Sequence, residues 1–193
     1  MELTVVIARY NEDISWVDQL NCNYIIYNKG GNLDREHIKL PNVGRESNTY
    51  LNFIISNYHT IQSPIAFVQG DPFYHCPKVI NLINTYSQGV IFLNHRQGPF
   101  INNGDGTPSH VGLPVTEWAE KLGVKQQNNK YGFANGAQYI IPPEAITSKP
   151  LSWWEHLLEL HDTPAKPFRK EPNQSPWIFE RLWYYIFTKN INL

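Results

Sequence analysis

In the first half of the chain, apolar residues come in short runs, many of them β-branched, and most runs stop abruptly at a polar cluster. Leu3 to Ala8 predicts a strand that ends in Arg9-Tyr10-Asn11-Glu12-Asp13. Tyr24 to Tyr27 predicts a second, stopped by Asn28-Lys29-Gly30-Gly31. Ile65 to Val68 predicts a third, broken by Gln69-Gly70-Asp71-Pro72, which reads as a tight turn with one carboxylate at its tip. Val90 to Leu93 predicts a fourth. Between these runs the spacing turns helical, over Ile14 to Leu20, Glu46 to Tyr58 and Lys78 to Tyr86. Tyr50, Leu51, Ile54, Ile55 and Tyr58 share one face of the middle helix. Strands alternating with helices predict an α/β fold around a mainly parallel sheet.

The second half is less regular. Gly98 to Pro114, rich in Gly, Pro and Asn, predicts an irregular loop, and Val115 to Leu122 a short helix. Ala137 to Ile141 predicts a strand halted by Pro142-Pro143. Leu151 to His161 predicts a helix with Trp154, Leu157, Leu158 and His161 on one side. Thr163 to Gln174, with three prolines, reads as a mobile loop. Ser175-Pro176 then opens a last helix, serine as N-cap and proline in the first helical position. Its apolar face carries Phe179, Leu182, Trp183, Ile186 and Phe187. No repeat or linker interrupts the pattern, so residues 1–193 are read as a single domain.

Composition narrows the classes. At 41% hydrophobic and 17% charged residues, the chain is globular rather than disordered. Lys plus Arg (16) nearly balances Asp plus Glu (17), so there is no electrostatic footprint for nucleic acid or an anionic membrane. Cys22 and Cys76 are too few for a disulfide framework and fit a reducing compartment. No apolar run approaches the roughly 20 residues that span a bilayer. The N-terminus lacks a basic leader, so no signal peptide or transmembrane segment is expected and the chain is placed in the cytoplasm. Aromatics are in excess, with six tryptophans, and suit either core packing or a cleft that stacks bases or sugar rings.

Ligands of open α/β sheets collect beyond the carboxyl ends of the strands. There, a carboxylate on a Gly-Asp-Pro turn can hold a divalent cation against phosphate, because Mg2+ and Mn2+ favour oxygen ligands and often take only one or two from protein. With parallel strands, the three polar clusters share one edge. A carboxylate and an amide would take base and ribose, Lys29 would face phosphate, and Asp71 would hold the metal. Strand ends are also polar simply because they meet water; three together with the Gly-Asp-Pro turn favour a site. Asn42-Val43-Gly44-Arg45-Glu46 precedes a helix and forms either an anion site or an ordinary helix entry in which Glu46 complements the dipole. Glu180, among aromatics on the last helix, is a candidate general base, a dipole partner, or an ion-pair partner of Arg181 or Arg169. His75, four residues past Asp71, is a candidate second metal ligand. The absence of His-x-x-x-His and Cys-x-x-Cys units argues against zinc. The absence of Gly-x-Ser-x-Gly, Walker and Gly-x-Gly-x-x-Gly motifs argues against hydrolase, kinase and dinucleotide readings. Asp105, in Asn102-Asn103-Gly104-Asp105-Gly106, mimics part of a calcium loop whose remaining ligand positions are not filled.

An ordered set of strings also resembles a known family. It comprises Val5-Val6-Ile7-Ala8-Arg9-Tyr10-Asn11-Glu12-Asp13, Tyr27-Asn28-Lys29-Gly30, and Leu40-Pro41-Asn42-Val43-Gly44-Arg45-Glu46 with Thr49-Tyr50-Leu51. Phe67-Val68-Gln69-Gly70-Asp71-Pro72-Phe73, Gly136-Ala137-Gln138-Tyr139 and Glu180-Arg181-Leu182-Trp183 continue it. This order is similar to DUF3431, a domain of unknown function found in fungi, bacteria and large DNA viruses. It also looks like the glycosyltransferase domain that chlorella viruses encode for decorating capsid protein. The resemblance implies a GT-A-like α/β/α sandwich, with a mainly parallel, mixed sheet between helices. It further implies a UDP-sugar donor, Mn2+ or Mg2+, and a glycan or glycoprotein acceptor, in the host cytoplasm if the chain is viral. Such enzymes carry Asp-x-Asp after the third strand; here Gln69-Gly70-Asp71 replaces the first acid by an amide. The implied roles are Asp71 as metal ligand and Glu180 as acceptor-side catalytic acid–base group. Ala8, Arg9, Tyr10, Glu12, Asn28, Lys29, Arg45, Gln69 and Gly70 are implied around the nucleotide-sugar. The expected activity is therefore metal-dependent glycosyl transfer. A non-catalytic nucleotide-sugar or glycan binding module is the rival. A phosphohydrolase ranks last, because Asp71 has no close acidic partner in sequence.

Overall fold

The structure is a computed structural model that describes residues 2–124, 127–163, 166–168 and 173–188. In chain order the elements are β1 (Thr4–Arg9), a 3-10 turn (Ser15–Gln19), β2 (Asn23–Asn28), β3 (Ile38–Lys39), α1 (Arg45–Asn57), β4 (Ile65–Gln69), α2 (Val79–Asn84) and β5 (Ile91–Phe92). Then follow β6 (Phe100–Asn103), α3 (Val115–Lys121), a short 3-10 turn (Gln127–Asn129), β7 (Lys130–Phe133), β8 (Tyr139–Ile141), α4 (Glu144–Thr147), α5 (Leu151–Asp162) and α6 (Ser175–Thr188).

Six strands form one sheet in the order β3-β2-β1-β4-β8-β5, and β6 and β7 form a separate two-stranded ribbon. The first four strands of the large sheet are parallel, while β8 runs antiparallel to both β4 and β5. The mainly parallel, mixed sheet between helices is the expected α/β sandwich. Both edge strands have only two residues, which limits the unpaired backbone offered to another chain.

The apolar runs are continuous because the central strands are buried on both faces. Val5 and Ile7 of β1, with Ala66 and Val68 of β4, face a layer built from Trp16, Val17, Val79 and Ile83. Val6 and Phe67 face the opposite layer, where α1, α5 and α6 supply Tyr50, Ile54, Trp154, Leu157, Trp183 and Phe187. Trp183 and Phe187 stack at 5.0 Å with planes 11° apart, and Phe187 stacks on Phe67 at 5.9 Å. Much of the aromatic excess is therefore core.

Several details differ from the sequence reading. The Gly98–Pro114 loop contains β6, which pairs with β7 through Phe100↔Phe133 and Asn103↔Lys130. The Ile14–Leu20 segment is a single 3-10 turn rather than an α-helix. Ser175 lies inside α6, and its amide and hydroxyl both donate to Asn173 Oδ1, at 2.9 and 2.7 Å, so Asn173 performs the capping expected of the serine. Much of the proposed mobile loop over Thr163–Gln174, including Arg169, lies outside the described residues. Among the described residues, no helix is long and apolar enough to cross a membrane.

Candidate functional site at the strand ends

Parallel register brings the three polar clusters together. Arg9 pairs with Asn28 across β1 and β2, and Ala8 with Gln69 across β1 and β4. The chain builds β2 and β3 on one side of β1, then returns through α1 to β4 on the other. The gap between the ends of β1 and β4 is thus the switch point where open α/β sheets bind ligands. Because β8 is antiparallel, its preceding turn, Asn135-Gly136-Ala137, joins the same edge.

Much of this rim is held by its own side chains. Arg9 is buried, and its guanidinium donates to the Glu12 carbonyl (3.0 Å), the Tyr10 carbonyl (3.1 Å) and Asn28 Oδ1 (2.8 Å). Asn28 Oδ1 also accepts the Gly30 amide at 3.1 Å, and its Nδ2 donates to the Gly31 carbonyl at 2.8 Å. Arg9 and Asn28, implied as nucleotide contacts, are therefore struts. The Ala8 carbonyl accepts the Gly70 amide at 2.9 Å, and Trp16 Nε1 donates to the Gly70 carbonyl at 2.9 Å. Glu12 Oε2 accepts the Tyr10 amide at 2.6 Å and lies 2.5 Å from where a Cβ on Gly70 would sit. Only glycine allows that approach. Tyr10 is 49% exposed and leaves its ring open at the rim.

Lys29 corrects an expectation. Its ammonium donates to the Val43 carbonyl (2.6 Å), the Arg45 carbonyl (2.5 Å) and Asn48 Oδ1 (3.1 Å). An ammonium has three protons, so none remains for phosphate. Burial pulls its pKa down to about 8, against Glu46 and Asp162, which raise it. An exposed cation on this side is Arg45 at the start of α1, with its guanidinium 4.8 Å from the Trp177 ring centre. Gly44 and Arg45 both have positive φ, 63° and 50°, and for arginine that conformation is strained. Beneath them His161 is fully buried, and its Nδ1 donates to Asp162 Oδ1 at 2.7 Å. Against the upward push of burial, that bond, with Asn48 and Lys29, holds the Asp162 carboxyl below its usual range.

At the other end of the rim, Glu180 Oε1 accepts the Gly136 amide at 2.6 Å, and Oε2 pairs with the Arg181 guanidinium. Arg181 is buried; it donates to the Trp177 carbonyl at 3.1 Å and also contacts His110 Nδ1 and Asn102 Oδ1. His75 Nδ1 accepts from Asn135 Nδ2 at 2.9 Å, and its ring fills the space a Cβ on Gly136 would need. Burial lowers the His75 pKa, while Glu180 and Asp71 act to raise it. His75 therefore links the Asp71 and Glu180 corners electrostatically.

Asp71 Oδ1 accepts the Phe73 amide at 3.1 Å, closing an Asx turn, and the side chain is exposed. Among the described residues, no group of three His, Cys, Asp or Glu side chains is arranged to hold a metal. The donor set does not fit an all-protein cage. Asp71 offers an exposed carboxylate of the kind that hard cations take as one ligand among several. Gln69 ends β4 half-buried; its amide donates to Gln138 Oε1 at 3.0 Å.

Two further positions carry little local signal. Gln138 is fully buried, and its Nε2 donates to the Pro72 and Leu93 carbonyls, both at 3.3 Å, so it braces the Gly-Asp-Pro turn from β8. Glu46 reads from sequence as a dipole partner. In the structure burial, with Glu180 adding to it, pushes the Glu46 carboxyl up to about 7, against its own amide, Arg45 and Lys29. A hollow of about 100 Å³, lined by Cys76, Pro77, Lys78, Asn94, His95 and Gln97, shares no residue with the strand-end site.

No curated protein and no solved structure matches the chain. Residues 5–88, from β1 to just past α2 and so including the ends of β1, β2 and β4 and the start of α1, match the family model described as "Protein of unknown function (DUF3431)".

Proposed function

We propose that the chain is a glycosyltransferase that uses a UDP-sugar and a divalent cation, Mn2+ or Mg2+, to glycosylate a glycan acceptor. The observation that carries this reading is the exposed carboxylate of Asp71 at the switch point, beside two other polar strand ends brought into register. The resemblance noted in the sequence supports the donor class. When bound, the cation supplies charge neutralisation for the departing diphosphate.

The chain's own residues divide the remaining work. Tyr10 offers an open ring for the uracil face. Gly70 makes room for the Glu12 carboxylate at the end of β4. Arg45 carries positive charge to the phosphates from the start of α1, where backbone amides already favour anions. Arg9, Asn28, Lys29 and Gln138 hold these groups in place, so little reorganisation accompanies binding.

The absence of a three-ligand group among the described residues favours a second reading, a metal-independent nucleotide-sugar binding module. Thermal unfolding with UDP, GDP and CMP, each with and without Mn2+, separates the two. Stabilisation by UDP that needs Mn2+, and disappears in Asp71→Ala, is expected. Equal responses with and without the cation favour the binding module.

A further inference from the structure

We infer that Tyr74 is the platform on which a pyranose ring of the acceptor glycan stacks, on the Glu180 side of the strand-end site. The assignment rests on the transferase reading above and adds the place where the acceptor lies. Of the large apolar and aromatic side chains exposed among the described residues, Tyr74 is the most open, at 78%. A single exposed ring is ordinary on any protein surface. Tyr74 differs in how firmly the backbone beneath it is held.

The ring stands on a short turn that runs from Asp71 to Cys76. Asp71 Oδ1 accepts the Phe73 amide at 3.1 Å, and the Pro72 carbonyl accepts the Cys76 amide at 2.9 Å and Gln138 Nε2 at 3.3 Å. The Tyr74 carbonyl itself accepts His95 Nε2 at 3.0 Å. Phe73 packs edge-on against Trp16, with ring centres 6.0 Å apart. The Tyr74 ring touches the His75 ring, at 4.9 Å with planes 82° apart, and otherwise faces solvent. A stiff aromatic side chain on a braced turn has little freedom left to lose when a ligand covers it.

The surroundings give the ligand its chemistry. A pyranose offers a face of C–H bonds and a rim of hydroxyls; an aromatic ring takes the first, and side chains that donate and accept take the second. His75 accepts from Asn135 Nδ2 at Nδ1, so its neutral ring carries a proton on Nε2 for donation to a hydroxyl. Asn135 Oδ1 is buried without a hydrogen-bond partner, an acceptor that a hydroxyl satisfies. The next residue, Gly136, gives its amide to Glu180 Oε1 at 2.6 Å. A sugar on Tyr74 therefore lies beside the corner that His75 shares with Glu180. Tyr10, another open ring, leaves β1 against Gly30 from the end of β2, whereas the Tyr74 turn leaves β4 against Gln138 at the start of β8. The two rings flank the switch point, one on the side assigned to the base and one on the side of the acceptor.

The test follows methyl glycosides of glucose, galactose, mannose, xylose and N-acetylglucosamine by saturation-transfer NMR on the full chain, beside the UDP thermal shift with Mn2+. At least one glycoside should bind, with saturation strongest on its ring C–H protons. Tyr74→Ala should weaken that glycoside about tenfold, with the UDP–Mn2+ shift retained. It should raise the glycoside's KM as acceptor by a similar factor when UDP release from UDP-glucose, UDP-galactose and UDP-N-acetylglucosamine is measured. Tyr74→Phe and Tyr74→Trp, which keep a ring, should keep the glycoside. The melting temperature should hold in all three variants, because the ring packs against so little. Equal binding by Tyr74→Ala and the native chain overturns the platform and leaves the transferase intact. So does a native chain that UDP and Mn2+ stabilise but that binds no glycoside. A native chain that UDP does not stabilise and that releases no UDP overturns the transferase reading, and the acceptor role of Tyr74 with it.

Discussion

At the scale of single residues, the site is defined by close approach as much as by charge. Gly30 passes so near Tyr10 that a Cβ there would overlap the Tyr10 carbonyl oxygen, and Gly70 leaves room for the Glu12 carboxylate. These glycines hold the ends of β1, β2 and β4 at backbone contact. Glu46 adds a testable consequence for stability. Its folded pKa of about 7 lies above the ordinary 4.5. Between those values the folded state binds more protons than the unfolded chain, so stability falls as pH rises through the window. The Glu46 contribution is complete below pH 4.5 and gone above about pH 7. Glu46→Gln, which never ionises, should therefore show a flatter stability curve from pH 5 to 7.5 by urea denaturation. A curve as steep as that of the native chain would refute the raised pKa.

At the scale of elements, the least legible part is the β6–β7 ribbon. Its sequence, Phe100-Ile101-Asn102-Asn103, neither alternates clearly nor avoids turn formers. The ribbon is secured instead by a fully buried polar side chain. Asn102 Nδ2 donates to the Gly106 and Thr107 carbonyls at 3.0 and 2.7 Å, and its Oδ1 accepts Arg181 Nε at 3.3 Å. One amide thus ties the ribbon to α6 and to the residue beside Glu180. Asn102→Ala removes two donors to the Gly106 and Thr107 carbonyls, which keep the His110 and Asn103 amides, and the buried oxygen that Arg181 Nε meets. It should destabilise the fold by about 1–3 kcal/mol in chemical denaturation. Asn102→Asp should be no better tolerated, because one carboxylate oxygen still meets Arg181 but the other would face the Gly106 and Thr107 carbonyls, which cannot donate. By contrast α1, α5 and α6 are legible from their helical apolar spacing alone, and their boundaries shift by only a residue or two.

At the scale of the whole molecule, two apolar layers clamp one sheet, and β1 and β4 lie at its centre. Residues Val5 to Ile7 and Ala66 to Val68 are fully buried. Their amides should be the slowest to exchange with solvent, whereas the two-residue strands β3 and β5 and the β6–β7 ribbon should exchange sooner. Hydrogen exchange followed by mass spectrometry reads this directly; fast exchange in β4 would contradict a core centred there. The arrangement also explains how a strand-end site can be built rigidly. The residues that reach the rim are the last turns of elements whose other ends are locked in the core.

The sequence by itself determined the strands that matter, because unbroken apolar runs ending in Arg9, Asn28 and Gln69 have no stable place except a sheet covered on both faces. It also placed Asp71 on a turn, since Gly-Asp-Pro cannot continue a strand. Only the tertiary structure decided which polar residues at that edge are free. Lys29, Arg9 and Asn28 look like ligand contacts in a string of letters, but their partners lie up to about twenty residues away or on other elements. Glu46 and Glu180 are 134 positions apart, and only the packing of α1 on α6 makes them neighbours. Burial and charge act through space, so a pattern read along the chain carries the elements but not the protonation of the groups between them.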